Sequence, residues 1–138
     1  MIRKATRADY PRISEIRLSV RENRLSKSKY DLVERVANWL LDNSAFWVWE
    51  EDGVVQGFSA ADTRDGMIFA LFVHPSHEGR GIGRALLPPA CQILRDSGHA
   101  AATLTTAAGT RAERFYRLDG WFEVARQDDG QIVFQKAL

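Results

Sequence analysis

The run MIFALFV at residues 67–73 leads into HPSHEGRG and then into an apolar-periodic stretch from Ile82 to Leu94. A strand, a glycine loop and a helix therefore follow one another in that order. Gly79, Gly81 and Gly83 recur at every second position, so backbone amides can approach a ligand with no Cβ in the way, and successive amides can converge on one anion. At a helix N-terminus the unpaired first-turn amides and the positive end of the helix dipole add to this. The segment reads as a pyrophosphate cradle to which Arg80 and Arg84 can add charge. The alternative is a glycine-rich turn that only packs the helix close to the strand.

Around this unit the element types alternate. Ile2 to Ala5 forms a short strand, and Thr6-x-x-Asp9 resembles a capping box, with Pro11 in a permitted first helical turn of a helix running to about Val20. RENRLSKSKY is polar and reads as a loop or frayed end, before a second helix over about Tyr30 to Leu41 with Ser28 as candidate N-cap. From Ala45 the runs FWVWE, VVQGFSAA and MIFALFV, separated by Asp52-Gly53 and Arg64-Asp65-Gly66, form an antiparallel meander. After the glycine-loop helix and Gly98 come a strand at Ala101 to Thr105 and a helix at Thr110 to Leu118 closed by Gly120. A hairpin of Phe122 to Arg126 with Gln131 to Lys136 ends the chain. The order is β-α-α-β-β-β-α-β-α-β-β, and a single α/β (α+β) domain over residues 1–138, one mixed and mostly antiparallel sheet with helices on both faces, buries all of these apolar faces.

Composition narrows the function classes. A chain of 138 residues with 45% hydrophobic content makes one domain. The net charge of +1 gives no general field for a polyanion, so nucleic-acid binding is not expected. No run approaches the ~20 apolar residues of a membrane helix, and MIRKATRADYP lacks the apolar centre of a signal peptide. The single Cys91 cannot form an internal disulfide, which suits a reducing, cytoplasmic setting. His74, His77 and His99 have no ligand spacing that argues for a metal. The P-loop pattern and the dinucleotide fingerprint both fail. Arg84 stands where each needs glycine when counted from Gly79, and Leu86 stands there when the fingerprint is counted from Gly81.

LFVHPSHEGRGIGRALL, with AERFYRLDGWF downstream, resembles the GNAT superfamily of N-acetyltransferases. The family motif is Gln/Arg-x-x-Gly-x-Gly/Ala after a strand ending in V-x-P, with a later helix carrying a Tyr before G-[FW]. The resemblance implies acetyl-CoA as co-substrate and a primary amine, on a small molecule or peptide, as acceptor, which attacks the thioester directly in a ternary complex. It implies that the backbone of Phe72 and Val73 holds the pantetheine arm and orients the acetyl carbonyl. Gly79, Arg80, Gly81, Ile82, Gly83 and Arg84 would hold the pyrophosphate, and Tyr116 would protonate the departing thiolate. It also implies that the strands at Val73 and Ala101 splay apart around the cofactor arm.

Three departures stand out. Glu78 replaces the family's Gln/Arg, Gly109 replaces a frequent Asn, and Pro88-Pro89 interrupts the helix after the loop, where a kink or restart is expected. Glu78, Gly109 and the lack of an acid on the strand suggest as alternative a binding module that has lost the catalytic step; an enzyme for longer acyl-CoA is a third reading. MIFALFV carries no acid to act as base; Asp62, Asp65, His74 and Glu22 are candidates by proximity. Arg17, Arg21 and Arg24 can share a helical face that borders the acceptor in the family arrangement and would favour a carboxylate or phosphate, against the alternative of a solvated stripe. Trp39, Trp47 and Trp49 read as core, and Cys91 as a small buried hydrophobe. A homodimer through the last strands is compatible with the sequence.

Overall fold

The computed structural model describes residues 1–20 and 27–138, the side chains of 27–30 aside. The chain runs β1 (Ile2–Lys4), a 3-10 turn (Arg7–Asp9), α1 (Tyr10–Ser19), α2 (Lys27–Asp42), β2 (Phe46–Glu51), β3 (Val54–Asp62) and β4 (Met67–Val73). It continues through α3 (Ile82–Asp96), β5 (Ala101–Thr106), α4 (Arg111–Leu118), β6 (Phe122–Arg126) and β7 (Ile132–Ala137). This is the element order the sequence predicts. Ser28 falls inside the first turn of α2 rather than before it, and its side chain lies outside the described residues.

The strands form one sheet in the order β1-β2-β3-β4-β5-β7-β6. All neighbours are antiparallel except β4 and β5, which run parallel. Asp52 and Gly53 both adopt positive φ, at 52° and 78°, as a tight hairpin turn between β2 and β3 requires. One core lies between the sheet and α1 and α2, built on Ile13, Ile16, Leu40, Phe46 and Phe58. The other lies under α3 and α4, built on Leu86, Leu94, Leu104, Tyr116 and Phe134. Trp47 belongs to the second core, Trp49 packs against it, and Trp39 packs on the opposite face. All three serve packing, as their spacing suggests.

α3 corrects one expectation. It runs unbroken from Ile82 to Asp96 through Pro88 and Pro89, with no restart. Each proline withholds an amide from the carbonyl four residues earlier, here Arg84 and Ala85. Pro88 and Arg84 are exposed, and Ala85 and Pro89 are half-buried, so the prolines lie on the outer side of the helix. The inward face, Leu86, Leu87, Ala90 and Leu94, is fully packed and holds the helix together. The buried Ser59 hydroxyl also donates to the Leu86 carbonyl at 2.8 Å, pinning α3 to β3.

Gly57 sets how closely α3 approaches. A Cβ there would stand 3.1 Å from Ile82 Cγ2 and from the Phe72 carbonyl oxygen, and 3.2 Å from Leu86 Cδ1. The start of α3 therefore lies directly on β3, which fixes the position of the glycine loop ahead of it.

Candidate active site

β4 and β5 pair at a single register position, Met67 with Thr103. Beyond it the strands part. β4 also carries a bulge: Ala60 and Ala61 are consecutive on β3, but their partners are Ala70 and Ile68, which leaves Phe69 as the extra residue. On its other edge β4 stays paired to β3 as far as Val73, and the His74 amide donates to the Gln56 carbonyl at 2.8 Å. Strand alternation then turns the peptide groups of Phe72 towards β3 and those of Val73 into the gap.

A cleft of about 470 Å³ lies between the end of β4, the glycine loop ahead of α3, and α4. It is lined by Phe72, Val73, Gly79, Gly81, Ile82, Gly83, Arg84 and Tyr116, so eight of the nine residues singled out in the sequence meet there. Arg80 does not line it and instead lies 3.9 Å from Glu51. Gly79 and Gly81 hold φ of 77° and 81°, in the left-handed region, and a Cβ on either would meet no protein atom within 4 Å. Gly81 is the N-cap of α3, so the unpaired amides of the first helical turn face this space. Ile82 is 3% exposed and packs into the core, leaving its amide as its contribution to the loop.

Glu78 is neutralised by a residue that sequence reasoning passed over. Arg111, the first residue of α4, places Nη1 3.0 Å from Glu78 Oε2, and both line the cleft. No local signal could have shown this, because the two residues meet only when α4 packs beside α3. His77 also lines the cleft, with Nε2 3.4 Å from Glu51 and Nδ1 2.7 Å from the Ser76 hydroxyl. Gly109 holds φ of 76° and its amide donates to Glu113 Oε1 at 2.7 Å, so its task here is to cap α4.

Tyr116 sits at the inner end of the cleft, 6% exposed. Its ring meets Phe115 and Trp121 edge-on at centroid distances of 5.2 and 5.8 Å. Burial pushes its phenol well above the ordinary tyrosine value, aided by the nearby Asp119 charge. Its proton is therefore held across the neutral and mildly alkaline range.

Of the candidate bases, Asp62, Asp65 and His74 do not line the cleft. Asp62 is held by Arg64 through two hydrogen bonds of 2.9 and 2.8 Å, which lower its carboxyl below the usual range. Asp65 accepts from the Met67 amide, and His74 is bonded to Ser76. Glu22, Arg21 and Arg24 lie outside the described residues. Arg17, on α1, is 7% exposed. Cys91 is half-buried rather than buried as expected, and its partial burial raises the thiol pKa.

A strand pair that opens beside glycine amides at a helix N-terminus, with a buried phenol lining the same cleft, gives a mixed α/β domain whose unpaired amides can hold an anion. The chain belongs to the acetyltransferase (GNAT) family, whose model matches residues 8–121. It is 39% identical over 92 residues to the peptidyl-lysine N-acetyltransferase YiaC of Escherichia coli K12, a match covering 63% of this chain and 62% of that protein. It is 32% identical over 101 residues to the mycothiol acetyltransferase of Beutenbergia cavernae, covering 69% of this chain and 34% of that protein. Both matches thus span less than two thirds of the relative's own length. The fold matches yncA of Salmonella typhimurium, solved with its cofactor acetyl-CoA, over 100% of this chain and 93% of that one, with a TM-score of 0.74 and 26% identity. A paiA N-acetyltransferase of Thermoplasma acidophilum in complex with coenzyme A is alike in fold, at a TM-score of 0.73 and 19% identity, over 100% of this chain and 98% of that one. Among the described residues no helix is long and apolar enough to cross a membrane.

Proposed function

We propose that this chain, as a single domain over residues 1–138, transfers the acetyl group of acetyl-CoA to a primary amine by direct attack in a ternary complex. One observation carries the reading: a single cleft joins the glycine loop, the end of β4 at Leu71, Phe72 and Val73, and Tyr116 on α4. Acetyl-CoA supplies an activated thioester. The amides of the loop from Gly79 to Gly83 and the Arg84 guanidinium hold its pyrophosphate. Arg111 offsets the Glu78 carboxylate beside it. The Val73 amide, turned into the gap, donates to the acetyl carbonyl, where negative charge develops during attack. Phe72, whose peptide groups are taken up by β3, contributes as lining. As the nitrogen–carbon bond forms and the carbon–sulfur bond breaks, Tyr116 gives its proton to the departing sulfur, and the proton lost by the nitrogen returns to the phenol through water; thiol and phenol both have high unperturbed pKa values. The lone Cys91 fits work in a reducing cytoplasm. A homodimer would pair through β6, an edge strand exposed along its whole length.

The test is thermal unfolding with acetyl-CoA, with ATP and NAD as controls, followed by thiol release in the presence of amines. At about one hundred times Kd the ligand adds roughly 2.7 kcal/mol, a rise of several degrees for a domain of this size. No rise at millimolar acetyl-CoA overturns the reading. A rise without thiol release on a broad amine panel favours the binding-only alternative.

A further inference from the structure

A chain of short polar contacts links the end of β2 to the cleft. His77 closes a 3-10 turn over Pro75–His77 and lines the cleft beside Glu78 and Gly79. Its Nε2 lies 3.4 Å from Glu51 Oε2, and its Nδ1 lies 2.7 Å from the Ser76 hydroxyl. The same hydroxyl is 2.7 Å from His74 Nδ1, and the Ser76 amide donates to that nitrogen at 3.1 Å.

Donor and acceptor counting places the protons. Because the Ser76 amide can only donate, His74 Nδ1 is an acceptor and its ring carries its proton on Nε2. The Ser76 hydroxyl has one proton to give and faces two ring nitrogens. His74 Nδ1 has none to offer, so the hydroxyl donates to it and accepts from His77 Nδ1. A carboxylate only accepts, so His77 Nε2 opposite Glu51 needs a proton as well. A neutral His77 leaves one of these contacts with lone pairs facing each other. The imidazolium satisfies every one.

The charged groups around the ring come from several elements. Glu51 ends β2, and Arg80 of the loop lies 3.9 Å from it. Glu78 is engaged at 3.0 Å by Arg111 of α4, and Arg84 of α3 lines the same cleft. Each carboxylate thus has a guanidinium within ion-pair distance, and a second proton on His77 adds positive charge to the cleft. The His77 side chain is only 19% exposed, so solvent screens that charge incompletely from an anion placed beside it.

We propose that acetyl-CoA binding is proton-linked through His77: the phosphates of the cofactor and the second proton on this ring each strengthen the binding of the other. Glu51 and Ser76 are the positioning residues that hold the imidazolium at the cleft. The inference rests on the acetyltransferase reading above and adds to it a cofactor-binding residue and a pH dependence.

The test is calorimetric titration of the intact protein with acetyl-CoA at about pH 6, 7 and 8.5, the range in which imidazole changes charge. Two buffers of different ionisation enthalpy at each pH count the protons taken up on binding. A phosphate monoester of the cofactor itself titrates near about pH 6, so wild type is compared at each pH with His77→Phe. The ratio of wild-type to variant affinity should fall about fivefold across this range, and wild type should take up more protons than the variant. In Glu51→Gln the fall should begin at lower pH. Nitrogen-15 spectra of wild type with acetyl-CoA at about pH 6 should show both His77 nitrogens protonated, a readout that stands if a variant fails to fold. A ratio that does not change with pH, equal proton uptake, or an unprotonated His77 nitrogen in that complex overturns the proton linkage alone. No acetyl-CoA binding by wild type at any of these pH values overturns the acetyltransferase reading beneath it.

Discussion

Arg111 Nη1 lies 3.0 Å from Glu78 Oε2 at the cleft, an ion pair tying the start of α4 to the loop ahead of α3. Both side chains are substantially solvated, so the pair adds little to stability. Its weight falls on the anion that enters the cleft. Glu78→Gln removes a negative charge from the cleft proposed to hold the phosphates. The variant should bind acetyl-CoA several-fold more tightly by titration calorimetry, with the gain shrinking at high salt. Weaker binding would mean that the pair shapes the loop instead of screening it.

Tyr116→Phe keeps the ring packed against Phe115, Trp121 and Phe134 and removes only the hydroxyl. We expect kcat to fall by roughly 10²–10⁴ with acetyl-CoA affinity little changed. Because burial raises this phenol above its ordinary value, the wild-type kcat should show no alkaline loss from its ionisation below about pH 10. A variant as active as wild type across pH would remove Tyr116 from the proton transfer.

Gly83→Ala separates structure from ligand binding. A Cβ there makes ordinary contacts, 3.8 Å to Val73 Cγ2 and 3.9 Å to the Phe115 ring, and Gly83 is within α3. The free protein should hold its stability or gain up to about 1 kcal/mol, as alanine is the better helix former. If phosphates approach these amides closely, acetyl-CoA affinity drops at least tenfold. Thermal scans with and without acetyl-CoA read both effects, and unchanged affinity would move the phosphates away from this turn.

Gly57→Ala should act in the opposite sense. Its Cβ would press on Ile82 Cγ2 and on the Phe72 carbonyl at 3.1 Å, and a backbone oxygen cannot step aside. A loss of about 1–3 kcal/mol in urea unfolding is expected. Wild-type stability would show that α3 can ride outward without cost.

Asp9 gives the pH dependence. Arg3 donates to both of its carboxylate oxygens at 2.9 Å, and the Thr6 amide donates at 2.8 Å, which together hold its pKa below the usual carboxylate value despite burial. A pKa lowered on folding contributes stability above the unfolded value of about 3.9, and that contribution is lost as pH falls through the folded value. Asp9→Asn should be less stable than wild type at pH 7, and the difference should close below about pH 4. A constant gap at all pH values would assign the effect to packing.

The strand, loop and helix around Gly79, Gly81 and Gly83, and the order of the described helices and strands, are legible in the sequence because each depends on its own neighbours: apolar period, turn residues, caps. Tyr116 emerges from the resemblance, since nothing in RAERFYRL by itself marks that ring over Phe115. The meeting of Glu78 with Arg111 and the single pairing of Met67 with Thr103 join segments remote in sequence. Only the packing of α4 beside the loop and the parallel pairing of β4 with β5 decide them. Pro88 and Pro89 show the same limit from the other side. Local propensity ends the helix there, but the buried face of Leu86, Leu87, Ala90 and Leu94 against β3 carries it through, because tertiary burial outweighs two missing hydrogen bonds on an outward edge.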